Sequence, residues 1–324
     1  MNFLISGCAG FIGYHLSNYL CKKYRKSKII GFDNLNNFYS VKLKRKRISN
    51  LKKNKNFNFS KIDLTDKKKL SNLFKKSKIK IVFHLAAQAG VRDSLKMPKS
   101  YFKSNFEGYI NIINLSKKNK IKKFIFASSS SVYGDQKKFP INEKTKVIPK
   151  NIYAASKKIN EEIGEDLSKI TKMKVIGLRF FTVYGKYGRP DMFVFKYLDS
   201  LINKKNFNLF NKGNHLRDYT HIEDVVEMMD LLIRKKIKNN FEIFNICSNK
   251  PIDINKLSLF ISKFIGIKPK LTLRAKNKIE VVKTHGDNRK ILKFLKYKIK
   301  SNIYLELPKI INWYTQNKIW KYKI

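Results

Sequence analysis

The chain has 324 residues, enough for one large domain or two smaller ones, and its apolar fraction of 43% is ordinary for a globular protein. Its longest apolar runs, such as residues 79–87, are too short to span a bilayer, which excludes a membrane-spanning helix. The three cysteines lack metal-ligand spacing, so we expect neither a metal site nor a disulfide framework. An apolar strand is predicted directly after Met1, so we expect a soluble, cytoplasmic protein.

The net charge of +48 has two interpretations, since 71 Lys and Arg stand against 23 Asp and Glu. A strongly basic protein can bind nucleic acid or another polyanion. Alternatively, a composition rich in Lys, Asn and Ile reflects a coding bias that alters the whole surface. The even spread of lysine favours the bias, because the densest segment, residues 42–55, has no stacking aromatics and no DNA-binding motif. We therefore expect no specific nucleic-acid partner, although the charge attracts anionic substrates in either case.

Short apolar segments alternate with segments of helical periodicity through the first half of the chain. The predicted strands are residues 2–6, 28–33, 57–63, 79–87, 123–128 and 174–180. The predicted helices are residues 11–22, 67–76, 101–118 and 153–170, and in the third of these one face carries Phe102, Phe106, Ile110 and Ile113. Such alternation is typical of βαβ units and a parallel sheet.

The alternation predicts an α/β fold with a Rossmann-type, doubly wound parallel sheet, whose strands end along one edge where ligands bind. After about Thr182 the pattern becomes irregular, and Gly, Pro and aromatic residues cluster at 184–190. We therefore expect an NAD-binding domain at residues 1–181 and a smaller, mixed α/β substrate-binding lobe at residues 182–324. We expect the two to be intertwined, with part of the later chain returning to the first domain.

A glycine-rich loop with the pattern Gly7-x-x-Gly10-x-x-Gly13 lies between the first predicted strand and helix. The first glycine permits a tight turn, the second lets the backbone approach a pyrophosphate, and the third lets the helix pack on the strand. Asp33 ends the second strand, where a carboxylate binds a ribose 2′-hydroxyl and repels a 2′-phosphate. Together they predict NAD as the cofactor. Asp63 and Leu64 end the third strand and either cover the adenine or form a turn and core contact.

Four serines, residues 128–131, end another predicted strand, and Tyr153 and Lys157 follow at a spacing that puts both on one helix face. An ammonium beside a phenol stabilises the phenolate and lowers the tyrosine pKa from about 10 toward neutral pH. A serine hydroxyl can bind the same substrate oxygen. Tyr-x-x-x-Lys alone is common on exposed helices, but beside a dinucleotide loop it predicts a base that takes a proton from a hydroxyl group.

These residues resemble the extended short-chain dehydrogenase/reductase family, in particular its NAD-dependent nucleotide-sugar epimerases and dehydratases. The resemblance covers essentially the whole chain and is carried by residues 7–13, His84-Leu-Ala-Ala, residues 128–134, Tyr153-Ala-Ala-Ser-Lys157 and residues 217–224. Three further segments resemble the family's UDP-glucuronate 4-epimerases: Asp33-Asn-Leu-Asn-Asn-Phe-Tyr39, Ala86-Ala-Gln-Ala-Gly-Val-Arg92, and residues 179–185 followed by Gly188-Arg-Pro-Asp-Met192.

The resemblance implies that C4 of a UDP-hexuronate is inverted through a 4-keto intermediate with bound NAD, in polysaccharide synthesis. It implies that Tyr153 takes the proton of the 4-hydroxyl, that Lys157 tunes Tyr153 and holds the nicotinamide ribose, and that Ser129 binds the same oxygen. The residues implied to bind NAD are Gly7, Gly10, Phe11, Ile12, Gly13, Asp33, Asn34, Asp63, Leu64, Leu85, Ala86, Ala87, Asn105, Tyr153, Lys157 and Phe180. Those implied to bind the UDP-sugar are Arg92, Ser130, Ser131, Thr182, Arg189 and Arg217. A homodimer is also implied, with residues 101–118 and 153–170 as the candidate interface.

Arg189 suggests that the sugar carries a carboxylate. A glucuronate oxidised at C4 is a β-keto acid, which loses CO₂ when the breaking bond stands perpendicular to the ketone plane. A guanidinium holding the carboxylate, assisted by Ser130, Ser131 and Thr182, prevents that geometry. The alternative is that Arg189 is one more surface charge.

Two other functions remain open: a 4-epimerase of neutral UDP-hexoses and, more remotely, a polyanion-binding protein on the same fold. Dehydration is disfavoured, because Ser130 and Ser131 stand where related 4,6-dehydratases carry an acidic pair. Residues 278–281 depart from the family pattern, which leaves the uridine contacts open.

Overall fold

The structure, a computed structural model, describes residues 1–275 and 281–317. Its strands are β1 (Asn2–Ser6), β2 (Ile29–Asp33), β3 (Phe57–Lys61), β4 (Ile79–His84), β5 (Lys123–Ser129), β6 (Lys174–Phe180), β7 (Thr182–Tyr184), β8 (Asn206–Phe210), β9 (Leu216–His221), β10 (Phe241–Ile246), β11 (Pro251–Asp253) and β12 (Lys270–Arg274). Its α-helices are α1 (Phe11–Lys23), α2 (Val41–Lys52), α3 (Lys67–Ser77), α4 (Pro98–Tyr101), α5 (Gly108–Lys118), α6 (Ile152–Lys169), α7 (Phe193–Ile202), α8 (Ile222–Arg234), α9 (Ile254–Ile265), α10 (Arg289–Leu295) and α11 (Ile303–Gln316). The predicted strands and helices are all present, with ends that differ by a few residues.

Seven parallel strands form the central sheet, in the order β3-β2-β1-β4-β5-β6-β10. Strands β1 and β2 are buried on both faces, as expected for nearly continuous apolar runs in a sheet that helices cover on both sides. The order reverses between β1 and β4, so the crossovers diverge there and leave a crevice at the carboxyl ends of these strands. The topology confirms the predicted Rossmann-type fold.

Helices cover the sheet in two layers with separate apolar cores. On one side α1, α2, α8 and α10 contribute to a core that includes Leu16, Leu51, Val225 and Ile291. On the other side α3 and α5 supply Leu70, Phe74, Ile112 and Ile113. None of the helices within the described residues is long and apolar enough to cross a membrane.

Part of the later chain lies in the central layers. Helix α8 packs on α1, and β10 extends the sheet by pairing with β6. The remaining strands form two small sheets, β7-β9-β11 and β8-β12, which pack with α7, α9 and α11 around a third core. The small sheets lie beyond the carboxyl edge of the central sheet and close over the crevice. Residues 276–280 and 318–324 of the predicted lobe lie outside the described residues.

The charged segment at residues 42–55 is mostly helix α2, which the sequence analysis did not predict. Its apolar positions, Leu43, Ile48 and Leu51, are buried against the sheet. The same face also buries Lys44 and Arg47. The amphipathic pattern of α2 is not apparent in the sequence, because two of its buried positions, Lys44 and Arg47, carry positive charges.

The predicted helix at residues 101–118 is interrupted by a π-helical turn at Phe102–Glu107. A π-turn inserts an extra residue and rotates everything before it relative to α5. The predicted apolar face is therefore wrong at its start: Phe102 is 60% exposed, whereas Ile113 is fully buried. The turn directs Asn105 into the protein interior instead.

A buried ion pair connects β6 to α6 behind the sheet edge. Arg179 donates to both carboxylate oxygens of Glu161, at 2.9 and 2.7 Å, and also to the Tyr133 hydroxyl at 2.9 Å. Glu161 in turn accepts a hydrogen bond from Ser128 at 2.5 Å. The pair therefore anchors the first of the four serines at the end of β5.

We predict that Arg179→Met lowers the free energy of unfolding by about 3–5 kcal/mol, because it leaves the Glu161 carboxylate buried without its partner. Lys158 is the matched control, since it pairs with Glu162 on the same helix but is 43% exposed. Lys158→Met should change the unfolding free energy by no more than about 0.5 kcal/mol. Urea denaturation of both variants measures the difference, and equal losses would contradict the buried-pair argument.

Candidate active site

A cavity of about 1000 Å³ opens at the carboxyl edge of the central sheet, between β1, β4, β5 and the small sheets. It is lined by every residue predicted to bind cofactor or substrate except Asn105. The predicted residues therefore lie around one shared space.

Within residues 1–275 and 281–317, no group of three or more His, Cys, Asp or Glu side chains is arranged to hold a metal ion.

The glycine loop forms one end of the cavity. Gly7 has a φ of +71°, and a Cβ there would lie 2.7 Å from the backbone nitrogen of Ala86. A Cβ on Gly13 would lie 2.2 Å from the carbonyl oxygen of Gly7, so only glycine lets α1 begin this close to β1. Gly10 caps α1 without a side-chain hydrogen bond, which leaves the first amides of the helix available to a phosphate.

Asp33 lies beside this loop and is almost fully buried. Its carboxylate accepts hydrogen bonds from the backbone of Ala9 at 3.2 Å and of Leu35 at 2.8 Å. Burial raises the pKa of Asp33, and these amides and the nearby Lys44 offset part of the increase. The carboxylate thus ties the glycine loop to the end of β2 while lining the cavity.

Asp63 and Asn34 form the adjoining wall. Asn34 donates to Asp63 at 2.7 Å, and Thr65 donates to Asp63 through its amide and its hydroxyl. Burial alone would raise the pKa of Asp63, but these donors outweigh it and the pKa is lowered. Asp63 is therefore both a turn residue and part of the cavity wall, and Leu64 beside it is buried.

Asn105 supports the cavity from behind rather than lining it. It accepts from the Gln88 amide at 2.7 Å and donates to the Gln88 carbonyl at 2.9 Å. It also donates to Ser156 of α6 at 3.0 Å. The π-helical turn therefore fastens the segment after β4, which includes Ala86 and Ala87, to the helix that carries the predicted base.

Tyr153 lies in the first turn of α6, which Asn151 caps by accepting from the Ala154 amide at 2.9 Å. Burial raises the pKa of Tyr153, while a hydrogen bond with Ser129 and the charge of Arg189 offset part of that increase. That Lys157 lowers this pKa stays a prediction. The Lys157 ammonium donates to the Ala127 carbonyl at 2.8 Å and lies 5.8 Å from the centre of the Tyr153 ring.

Lys157 is buried in the same region, and burial lowers its pKa to about 8, with Glu161 opposing the change. Beneath it, burial and the charge of Lys157 lower the pKa of His84 to about 3. The His84 ring therefore stays neutral and shares a hydrogen bond of 2.8 Å with Ser6. The site thus contains one ionisable ammonium beside a neutral imidazole and a buried phenol.

Ser129 forms hydrogen bonds beside Tyr153, whereas Ser130 and Ser131 line the cavity next to it. Ser129 accepts hydrogen bonds from the amide and the hydroxyl of Ser131, at 3.2 and 2.9 Å. Ser130 and Ser131 line the cavity in the 3₁₀ turn that follows β5, opposite Thr182 at the start of β7. Ser129 is thereby held next to Tyr153, with hydroxyl groups around it.

Three arginines line the substrate side of the cavity. Arg92 lies with its guanidinium carbon 4.5 Å from the centre of the Phe210 ring. Arg217 on β9 donates to the Val282 carbonyl at 2.8 Å. Arg189 forms a two-bond ion pair with Asp191, and both side chains face the cavity. Arg189 is therefore not a surface charge, and its charge acts on Tyr153.

Comparisons with known proteins agree with this architecture. Residues 3–247 match the family model described as "NAD dependent epimerase/dehydratase family". The chain belongs to this family. It is 36% identical over 317 residues to a UDP-glucuronate 4-epimerase of Thermodesulfobacterium geofontis, covering 97% of this chain and 96% of that one.

Solved structures of the family superpose closely. A UDP-glucuronic acid 4-epimerase from Bacillus cereus, in complex with UDP-glucuronic acid and NAD, has a TM-score of 0.92 and 29% identity, covering 98% of this chain and 100% of that one. A UDP-glucose 4-epimerase of Thermotoga maritima with UDP-glucose has a TM-score of 0.88 and 27% identity, over 98% and 100% of the two chains. NAD is thus the cofactor of this family, as the glycine loop and Asp33 predict.

Arg47 is the main residue of this family member's site that sequence reasoning missed. Fully buried on α2, it donates to the Ala9 carbonyl at 2.8 Å, within the glycine loop. It also donates to the Tyr187 and Gly188 carbonyls, at 2.7 and 3.3 Å, directly before Arg189. The signal lay in the spacing of Leu43, Arg47, Ile48 and Leu51, which places Arg47 on the apolar face of an amphipathic helix.

We predict that the stability of Lys157→Met relative to wild type is about 3 kcal/mol more favourable below pH 8 than above pH 10.5, because the wild-type ammonium is buried at a cost. The folded pKa of about 8 lies below the ordinary value of 10.5, so that cost is fully present below pH 8. It fades between pH 8 and 10.5, because the folded protein releases the proton first. The gain from Lys157→Met should therefore shrink over this interval.

Unfolding free energies of wild type and Lys157→Met at pH 7, 8 and 9.5 measure this dependence. Lys158→Met, at the exposed neighbouring position, serves as the control for removal of a positive charge. A stability difference for Lys157→Met that stays constant with pH would contradict the lowered pKa.

Proposed function

We propose that this chain is a UDP-glucuronate 4-epimerase, which interconverts UDP-glucuronate and UDP-galacturonate. The observation that carries the proposal is the position of Arg189, a partly buried guanidinium that shares the cavity with Tyr153 and acts on it electrostatically. A guanidinium is the preferred partner of a carboxylate. The proposal is supported by the named activity of the Thermodesulfobacterium geofontis relative and by the ligands of the Bacillus cereus structure.

The cavity suits NAD at its sheet-side end. The uncapped amides of Phe11, Ile12 and Gly13 would hold the pyrophosphate, Asp33 a ribose, and Asn34, Asp63 and Leu64 the adenine end. Residues 85–87, Phe180 and Lys157 would line the nicotinamide end. NAD bound there would supply the hydride acceptor and donor that inversion of C4 requires. We thus assign cofactor binding to residues 1–181 and substrate binding mainly to the later chain.

Tyr153 transfers the proton of the 4-oxygen in this mechanism. The hydroxyl of Ser129, held by Ser131, binds the same oxygen and supports the phenolate by hydrogen bonding. Lys157 adds an ammonium at 5.8 Å from the phenol ring. Because burial raises the pKa of Tyr153, these groups and Arg189 are needed to bring it down toward neutral pH.

Arg189 holds the sugar carboxylate, with Ser130, Ser131 and Thr182 as further donors. This restraint keeps the C5–carboxylate bond away from the perpendicular orientation in which the 4-keto intermediate loses CO₂. Arg217 and Arg92 bind the diphosphate end of the substrate. UDP-sugars and NAD are cytoplasmic metabolites, so we propose that the enzyme acts in the cytoplasm, in polysaccharide synthesis.

A 4-epimerase of neutral UDP-hexoses is the second candidate, because a UDP-glucose 4-epimerase shares the fold at a TM-score of 0.88. A neutral sugar presents a hydroxymethyl group at C5 and offers no carboxylate to Arg189. The two functions therefore differ in which sugar the purified protein converts.

We predict that the wild type converts UDP-glucuronate to UDP-galacturonate at least about a hundredfold more efficiently than it converts UDP-glucose. Arg189→Ala should raise the KM for UDP-glucuronate and release a UDP-pentose, because the freed carboxylate can reach the orientation for loss of CO₂. Chromatography of the nucleotide-sugars with mass detection measures both products. Tyr153→Phe is the control that shows which products need the active site.

Turnover of UDP-glucose alone would contradict the proposed substrate. Unchanged kinetics and products for Arg189→Ala would contradict the role of Arg189 while leaving the epimerase activity intact.

We also propose that the protein is a homodimer. The two helical regions expected at the interface expose apolar side chains: Phe102 is 60% exposed on the π-helical turn, and Ile159 is 38% exposed on α6. Exposed aromatic and aliphatic side chains of this size are typical of interfaces.

We predict that wild type elutes as a dimer and that the double variant Phe102→Glu, Ile159→Glu elutes as a monomer, because two buried carboxylates per subunit oppose association. Leu305→Glu is the control, since Leu305 is 68% exposed on α11, outside this surface. Size-exclusion chromatography with light scattering gives the mass. A dimeric double variant or a monomeric wild type would contradict the proposed interface.

A further inference from the structure

The ion pair between Arg189 and Asp191 uses only one edge of the guanidinium. A guanidinium can bind a carboxylate through its side edge, Nε and Nη2, or through its end, Nη1 and Nη2. Asp191 occupies the side edge: Nε donates to Oδ1 at 3.0 Å, and Nη2 donates to Oδ2. In the described part of the chain, no hydrogen bond or ion pair involves Nη1 of Arg189. One edge is therefore free for a second carboxylate.

The Phe38 ring and a closed turn lie beside this pair. The centre of the Phe38 ring lies 5.7 Å from the central carbon of the guanidinium. The turn that carries the pair is closed by a hydrogen bond of 3.2 Å from the Met192 amide to the Arg189 carbonyl, directly before α7. Both side chains line the cavity and are about four-fifths buried, with exposures of 20% and 22%.

Asp191 stays ionised in this position. Burial raises its pKa, but the charge and hydrogen bonds of Arg189 outweigh burial, so the pKa is lowered overall. A carboxylate fixed on the side edge prevents the long arginine side chain from rotating its donors away from the cavity.

We propose that Asp191 is a positioning residue for the uronate site: it holds Arg189 by its side edge so that the free end presents Nη1 and Nη2 to the carboxylate of the substrate. The inference rests on the proposed function, since it needs a substrate with a carboxylate. The guanidinium then lies between two carboxylates, one of the protein and one of the sugar, in a single plane. A neutral hexose cannot complete this arrangement.

The opposite role is physically possible and gives the opposite result. If Asp191 competed with the substrate for the same donors, removing its charge would make Arg189 more available and would tighten uronate binding. The sign of the change in KM therefore separates positioning from competition.

The test uses Asp191→Asn in the enzyme purified with its NAD. We expect the KM for UDP-glucuronate to rise at least about tenfold, because the amide group of Asn faces a donor of Arg189 instead of accepting from it. The fraction of product that has lost CO₂ should rise with it. Inhibition by UDP, which has no sugar carboxylate, should change by less than about twofold. Asp191→Glu, which keeps the charge, should restore part of the affinity.

Asp135→Asn is the control, because Asp135 also pairs with one cation, Lys150, but does not line the cavity. It should leave the KM for UDP-glucuronate within about twofold of wild type. A second comparison is made in Arg189→Lys, whose ammonium has no side edge. Adding Asp191→Asn there should change the KM by less than about twofold, since the effect of Asp191 acts through the guanidinium. Because this comparison is made between Arg189→Lys and the double variant, it still tests the role of Asp191 if Asp191→Asn alone folds poorly.

A lower KM in Asp191→Asn, an unchanged KM, or an equal effect in the Arg189→Lys background would each overturn the inference. Those outcomes leave turnover of UDP-glucuronate by the wild type intact. Absence of that turnover would instead reject the proposed function, and this inference with it.

Discussion

The fully buried guanidinium of Arg47 connects the parts of the structure on which the site depends. It joins α2, the carbonyl of Ala9 in the glycine loop and the carbonyls of Tyr187 and Gly188, and it also donates to the Tyr39 hydroxyl at 2.7 Å. A buried charge is tolerated only where several acceptors surround it. Because those acceptors belong to both the cofactor loop and the segment that carries Arg189, one side chain sets the distance between the two halves of the cavity.

One of the groups proposed to act in catalysis is buried at a cost to stability. Burial raises the pKa of Tyr153, lowers the pKa of Lys157 to about 8 and lowers that of the neighbouring His84 to about 3. Each shift opposes the charged form, but at neutral pH only Lys157 of these three is charged, so only its burial lowers the stability of the folded protein there. Side chains with shifted pKa values are expected at sites where a proton is transferred at neutral pH. The surrounding hydrogen bonds, from Ser129 to Tyr153 and from Lys157 to Ala127, keep them in position.

The scarcity of carboxylates bears on the meaning of the +48 charge. Within the described part of the chain, the buried acidic residues are Asp33, Glu161, Asp218, Asp224, Asp230 and Asp287. Asp218 accepts from the amides of Ser248, Asn249 and Gly286, and Asp224 accepts from the Tyr297 hydroxyl and two amides. Acidic residues thus remain where the fold uses them, and lysines are spread over the surface. This distribution agrees with a compositional bias. The positive charge itself increases the electrostatic attraction between the protein and an anionic UDP-sugar.

Local sequence patterns are enough to predict the fold and the cofactor. Alternating apolar segments predict a parallel sheet, and the positions of Gly7, Gly10, Gly13 and Asp33 follow from the geometry of one turn. The motifs also assign Arg189 and Tyr153 to one site, and both residues line the same cavity. The acceptors around Arg47, the inward direction of Asn105 and the edge of Arg189 that Asp191 occupies emerge only from tertiary packing. Spacing places Arg47 on the apolar face of α2, but the partners of all three side chains lie in distant segments or depend on side-chain direction. The raised pKa of Tyr153 likewise depends on burial, which is a property of the assembled cavity.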